Sequence, residues 1–207
     1  MDSSSAERIG LFPSSAGCRP VTDLSDDAAL VNSARDGDRS AFGRLYERYA
    51  RMVHGVLLAK VPIAAVDDLV QDVFVRALRH LSSLRQNESF GPWLRTIARN
   101  LANDYYRRSP PEYQIPDNTP DTEPVLESAG ADPEGPAAIL DAIRNLPDAY
   151  RETLILRLVE GMTGPEIAER TGLTHGSVRV NLHRGMQQLR ESLAPHGINP
   201  RPKQEPR

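Results

Sequence analysis

The stretch GMTGPEIAERTGLTHGSVRVNLHRGMQQLRESL, Gly161–Leu193, decides how this chain is read. Thr163-Gly-Pro-Glu166 has the form of a capping box: the threonine caps a helix, the proline fits its first turn, and Glu166 reaches back to the cap. Gly172 is placed to close that helix and Thr174 to cap the next. Val178, Leu182, Leu189 and Leu193 then supply the inner face of a second helix. Helix, glycine turn and helix at this spacing predict a helix-turn-helix.

Toward the N-terminus, Ile139, Leu140, Ile143 and Leu146 predict a short helix stopped by Pro147, and Tyr150, Leu154, Ile155 and Leu158 another that ends at Gly161. The strip from Ser109 to Pro136 carries seven prolines and cannot sustain a helix. Before it lies a second helical region. Leu30, Val31 and Ala34 begin it, and Gly37 interrupts. Phe42 to Leu57 carries apolar residues at three- and four-residue spacing up to Pro62. Another stripe runs from Asp67 through Leu69, Val70, Val73, Phe74, Ala77, Leu78 and Leu81. A polar loop, Ser82–Ser89, leads to a helix with Trp93, Leu94, Ile97, Ala98, Leu101, Ala102 and Tyr105, of which Trp93, Ile97, Leu101 and Tyr105 lie four apart. No useful strand-like alternation appears. The reading is all-α: two small helical domains, at 25–108 and 137–194, joined by a flexible acidic linker at 109–136. A disordered leader at 1–24 and tail at 195–207 complete the plan.

The formal net charge of −3 would seem to argue against nucleic acid, but the average misleads. The strip Ser109–Pro136 holds seven acids and no Lys or Arg, so the rest of the chain is net positive. Arginines cluster at 95, 99, 107 and 108 and again at 179, 184 and 190. Such segregation suits separate partners. The one cysteine, Cys18, cannot form an internal disulfide, and the five histidines are scattered. No Gly-rich phosphate loop, metal-ligand cluster or nucleophile–base pairing stands out, so neither an enzyme nor a cofactor is expected. There is no apolar run of the roughly 18–20 residues a membrane span needs, and no secretory start, which fits a cytoplasmic protein.

Three faces hold the candidate residues. Asp68, Gln71, Asp72 and Val75 fall outside the apolar stripe of their helix and make an acidic, partly apolar surface. The plain alternative is a solvated face, with Asp67 and Asp68 near a helix start; a metal site from Asp67, Asp68 and Asp72 lacks a further ligand. Arg95, Arg99, Asn103, Tyr106 and Arg107 lie opposite the Trp93 stripe, offering charges for phosphates and an aromatic for an unstacked base. On the last helix the outward set is His175, Ser177, Arg179, Val180, Asn181, His183 and Arg184. Its N-terminal members, Ser177, Arg179 and Asn181, are the candidates for base edges, while His183 and Arg184 suit phosphates or plain solvent.

AFGRLYERYARMVHGVL (Ala41–Leu57), DLVQDVFVRAL (Asp68–Leu78), SFGPWLRTIARNLANDYYRR (Ser89–Arg108), LPDAYRETLILRLVEGMTGPEIAERTG (Leu146–Gly172) and SVRVNLHRG (Ser177–Gly185) occur in that order. In these five stretches the chain resembles the extracytoplasmic-function (ECF) sigma factors, the compact members of the sigma-70 family of bacterial RNA polymerase. The resemblance implies that the first domain is sigma region 2, which binds the clamp helices of the largest subunit of core RNA polymerase and captures the −10 element. Asp68, Gln71, Asp72 and Val75 would meet the polymerase. Arg95, Arg99, Asn103, Tyr106 and Arg107 would meet −10 DNA, with Asn87 receiving a flipped base. The second domain would be region 4, reading the −35 element of promoter DNA through Ser177, Arg179, Asn181, His183 and Arg184. Relatives often carry a basic residue where Asn181 stands, so their −35 preference does not transfer.

The resemblance also implies transcription initiation without catalysis, and commonly an anti-sigma partner. A flexible linker of about 28 residues spans near ~30 Å when relaxed, whereas elements about two duplex turns apart lie roughly 70 Å from each other. The polymerase surface, not the linker, must therefore set the spacing. The rival reading is an autonomous helix-turn-helix regulator, which would need a dimer interface or ligand-sensing domain that neither half offers.

Overall fold

The computed structural model describes residues 24–108 and 136–194, and all regular structure among them is helical. Residues 1–23 with Cys18, 109–135 and 195–207 lie outside the described residues; Leu24 and Pro136, expected in the leader and the linker, are the first residues of α1 and α5. Four helices form the first domain: α1 (Leu24–Arg35), α2 (Arg39–Leu58), α3 (Ile63–His80) and α4 (Phe90–Arg108). Four more form the second: α5 (Pro136–Arg144), α6 (Asp148–Leu158), α7 (Gly164–Thr171) and α8 (His175–Leu193).

Helix α2 is the axis of the first bundle, with α1, α3 and α4 packed around it. Its start is set by Asp38, whose carboxylate accepts from the Ser40 and Ala41 amides at 2.8 and 3.2 Å. The Ser40 hydroxyl first, and then these amide bonds, hold the Asp38 carboxyl below its usual range. Leu45, Met52, Val53, Val56 and Leu57 are fully buried, as the spacing predicted. Asp27 of α1 is buried too. It accepts from the Tyr49 hydroxyl and pairs with Arg48, so the charge enters the core with its partners. Burial, then the adjacent Asp27, pushes the Tyr49 phenol far up.

Helices α3 and α4 depart from the sequence reading. Helix α3 begins at Ile63 rather than Asp67, because Pro62 sits just outside the first turn and its carbonyl accepts from the Ala65 amide at 3.0 Å. Asp67 and Asp68 therefore belong to the second turn. Leu78, assigned to the buried stripe, is 52% exposed. The loop after α3 holds two short 3-10 turns, Leu81–Ser83 and Asn87–Ser89. On α4 the buried ridge is Phe90, Leu94, Ala98, Leu101 and Ala102. Trp93, Ile97 and Tyr105 are only half-buried at its edge, so the Trp93 stripe flanks the core instead of centring on it. Small Ala98 and Ala102, both in the expected apolar set, let α4 lie close to α2.

In the second domain the capping box is complete. Thr163 Oγ1 accepts from the Glu166 amide and Glu166 accepts from the Thr163 amide at 2.8 Å. Gly172 closes α7 at φ 73°, a left-handed conformation that suits glycine. Thr174 caps α8 through the Ser177 amide at 3.1 Å. Helices α6 and α8 pack tightly at Gly185, where an added Cβ would lie 3.0 Å from the Leu154 side chain.

The domains touch. Helix α2 packs on α6 and α7, and α4 on α7, so the two cores form one continuous apolar cluster.

Candidate nucleic-acid interface

The acidic face of α3 is open. Asp68, Gln71, Asp72 and Val75 are all exposed, with Val75 at 47%. Leu78 joins them one turn on, since residues three and four apart share a helix face. Two apolar side chains beside two carboxylates thus look outward from a well-buried opposite side. The sequence placed Leu78 in the core; its repeat with Val75 and Gln71 was the available signal. Among the described residues no group of three or more His, Cys, Asp or Glu is placed to hold a metal ion.

The −10 candidates on α4 divide. Asn103 and Arg107 are exposed, and the Arg107 guanidinium pairs with Asp104, holding that carboxyl below its ordinary range. Tyr106 is half-buried. Its hydroxyl donates to the Lys60 carbonyl at 2.7 Å and its ring meets Tyr105 edge-on at 5.4 Å. Burial raises the Tyr106 phenol, with Tyr105 adding to the shift. In the loop, Asn87 donates its amide to Asn32 Oδ1 at 2.7 Å, while its own Oδ1 is buried and has no hydrogen-bond partner. Arg95 and Arg99 do not face solvent squarely: both turn onto Glu152 of α6. Arg95 Nε donates to Glu152 Oε1, and Arg99 Nε lies 3.2 Å from Oε2, off the line of a good hydrogen bond.

The recognition helix α8 presents its candidates outward. Ser177, Arg179, His183 and Arg184 are exposed and Asn181 is half-buried. The Ser177 hydroxyl lies 2.8 Å from that of its cap, Thr174, which fixes its orientation. Val180, 43% exposed between Arg179 and His183, adds an aliphatic group suited to a thymine methyl. The sequence had named it as outward without giving it a role. Gly164, Pro165, His175 and Arg179 line a shallow groove between the starts of α7 and α8.

Between the domains, charged pairs ring the contact. His54 Nδ1 lies 2.6 Å from Glu160, and Lys60 lies 2.6 Å from Asp148. The Glu160 bond, more than any other influence, raises the His54 pKa above 6.5; Glu160's charge and the more distant Asp67 add to it, while burial opposes. A raised folded value means the pair contributes its full stability below the unfolded pKa of about 6.5 and loses it as pH climbs through the folded one. Thermal melts of wild type and His54→Gln are therefore expected to differ near pH 6 and converge in alkali. A gap that widens with pH would contradict this.

The sequence matches the family models for Sigma-70 region 2 over residues 45–110 and for Sigma-70, region 4 over residues 137–189. It is 33% identical to the ECF RNA polymerase sigma factor BldN of Streptomyces coelicolor, over 84% of this chain and 69% of that protein. It is 31% identical to the ECF RNA polymerase sigma-E factor of Haemophilus influenzae, over 82% of this chain and 96% of that protein. RNA polymerase sigma factor CarQ of Myxococcus xanthus is 35% identical over 77% and 92%. Among solved structures, CnrH in complex with the cytosolic domain of CnrY aligns with a TM-score of 0.55 at 26% identity, over 82% of this chain and 98% of that one. With both regions present in order and relatives matched nearly end to end, the chain belongs to the ECF sigma factors of the sigma-70 family, proteins of promoter recognition and transcription initiation.

Proposed function

We propose a division of labour by face. The α3 surface of Asp68, Gln71, Asp72 and Val75, extended by Leu78, docks on the clamp helices of core RNA polymerase. The α4 face with the Asn87 loop takes the −10 strand, and α8 reads the −35 duplex. The observation that carries this reading is the outward set on α8. Arg179, Val180, His183 and Arg184 stand exposed on a helix whose cap, turn and inner face are all satisfied by the protein itself. Such a helix is finished as structure and still presents cations and a methyl-sized apolar group, which is what a major groove requires.

The protein acts by binding energy alone, with no catalysis of its own, and works in the cytoplasm, where polymerase and promoter are. Among the described residues no helix is long and apolar enough to cross a membrane. CnrH was solved with the cytosolic domain of CnrY bound; by that likeness we assign this chain a protein partner of the anti-sigma kind. The domain limits proposed are 25–108 for region 2 and 137–194 for region 4, with 109–136 as linker.

Alanine at Arg179 is expected to cost the holoenzyme about 10- to 100-fold at its promoter and to relax preference at one −35 base pair, as loss of a bidentate base contact does. Alanine at Arg184 should weaken all promoters alike and flatten the salt dependence. Transcription from a library of −35 variants separates the two. Identical profiles for both substitutions would remove α8 as the reading element as drawn.

A further inference from the structure

Charged groups surround the apolar contact between the domains. Glu152, 2% exposed on α6, draws in Arg95 and Arg99 from α4, a pair four residues apart on one face. Around it, Lys60 meets Asp148, His54 meets Glu160, and two arginines of the second domain close the end of α2. Arg144 donates to the Leu58 and Val61 carbonyls at 3.3 and 3.1 Å, and Arg151 to the Ala59 carbonyl at 3.4 Å. Helix C-termini leave carbonyls unsatisfied, and a guanidinium is a fitting partner.

Glycines allow the approach. A Cβ on Gly91 would lie 2.4 Å from the Arg170 carbonyl oxygen, and one on Gly172 2.6 Å from the Pro92 ring. At Gly55 it would lie 2.7 Å from Leu156. The sequence is thus shaped for this closed arrangement as well as for its two separate folds.

Glu152 is peculiar as a purely structural residue. Its carboxylate is taken from water yet its Oε2 atom has no well-aligned hydrogen bond. A buried charge of this kind is tolerated only while its cationic partners stay, and it gives weak net stability. An anion held between two arginines is also what a DNA phosphate offers. Resting on the reading of Arg95 and Arg99 as −10 contacts, we propose that Glu152 is an intramolecular stand-in for a DNA phosphate. It occupies both arginines in the closed chain, so that closure and −10 engagement exclude each other until polymerase parts the domains.

The chain supplies its own reporter. It has only two lysines, Lys60 and Lys203, and Lys60 lies against Asp148 across the contact. Zero-length carbodiimide coupling joins an amine to a touching carboxylate, so a Lys60–Asp148 peptide found by mass spectrometry reports closure directly. In the full-length free protein that link is expected in high yield. It should fall several-fold on adding core RNA polymerase and in Glu152→Gln. Affinity of free Glu152→Gln for a single-stranded −10 oligonucleotide should rise about 10-fold if the open form of wild type is near a tenth populated. Adding Arg95→Ala and Arg99→Ala to that variant should erase the gain.

Should Glu152→Gln lose its helical circular dichroism, Glu160→Gln, at the rim, carries the same test with a smaller shift in the same direction. A link that persists in the polymerase complex, or one lost without any gain in DNA affinity, overturns the proposal. Failure of the underlying reading looks different: holoenzyme carrying Arg95→Ala and Arg99→Ala would then open promoters as well as wild type.

Discussion

Charge reversal of Asp68 and Asp72 to arginine is expected to abolish co-elution with core RNA polymerase and, with it, every transcript the holoenzyme makes. Both carboxylates are exposed on α3, on the side away from Val66, Val70, Val73 and Phe74. Neither caps the helix, which starts at Ile63. Circular dichroism and melting temperature should therefore barely change, as for surface substitutions remote from packing. At a docking surface the effect is of another order. Like charges set against a basic partner cost several kcal/mol, and about 3 kcal/mol is already a 100-fold loss of affinity. Alanine at Val75 and Leu78 should weaken binding less, by removing apolar contact alone. Unchanged co-elution of the double reversal would place the polymerase contact elsewhere.

The second large effect concerns stability. Phe90→Ala is expected to remove about 3–5 kcal/mol, the usual range for a fully buried phenylalanine. Phe90 is 0% exposed, and its ring meets Tyr49 at 5.2 Å and Trp93 at 5.9 Å. Domains have a total stability of order 5–15 kcal/mol, so such a loss takes a large share of it. Urea denaturation followed by tryptophan fluorescence reads the event where it occurs, because Trp93 is the chain's one tryptophan. A midpoint within error of wild type would show that α4 is not seated on α2 as described.

Much of this architecture was legible in the residues. The capping box at Thr163, the glycine stop at Gly172 and the cap at Thr174 are local chemistry, and all three stand as read. The buried face of α2 followed from spacing alone. Helix α3 was read four residues short because Pro62 looked like a break, when a proline just before the first turn is a start. Leu78 reads as core because hydrophobicity is there equated with burial, whereas apolar side chains are common on protein surfaces. On α4 the apolar set includes the buried Leu94, Ala98, Leu101 and Ala102, but the four-apart stripe of Trp93, Ile97 and Tyr105 marks the edge of the buried face rather than its centre.

The contact between domains had no sequence signal at all. Arg95 and Glu152 are 57 residues apart, and His54 and Glu160 are 106 apart. Each reads as an ordinary charged residue on its own helix. Only the fold brings the pairs together, and this is why two arginines assigned to DNA proved to be held by a carboxylate from the other domain.

Run-off transcription with core RNA polymerase from the source organism, with and without this protein, decides whether the chain initiates transcription through polymerase. The templates are genomic fragments that include the region upstream of its own gene. Discrete new transcripts, lost when Gln71 and Asp72 or Arg179 and Asn181 are replaced, are the predicted result. No transcripts and no co-elution with core, together with tight sequence-specific binding of a duplex by the free protein, would contradict it and mark an autonomous regulator instead.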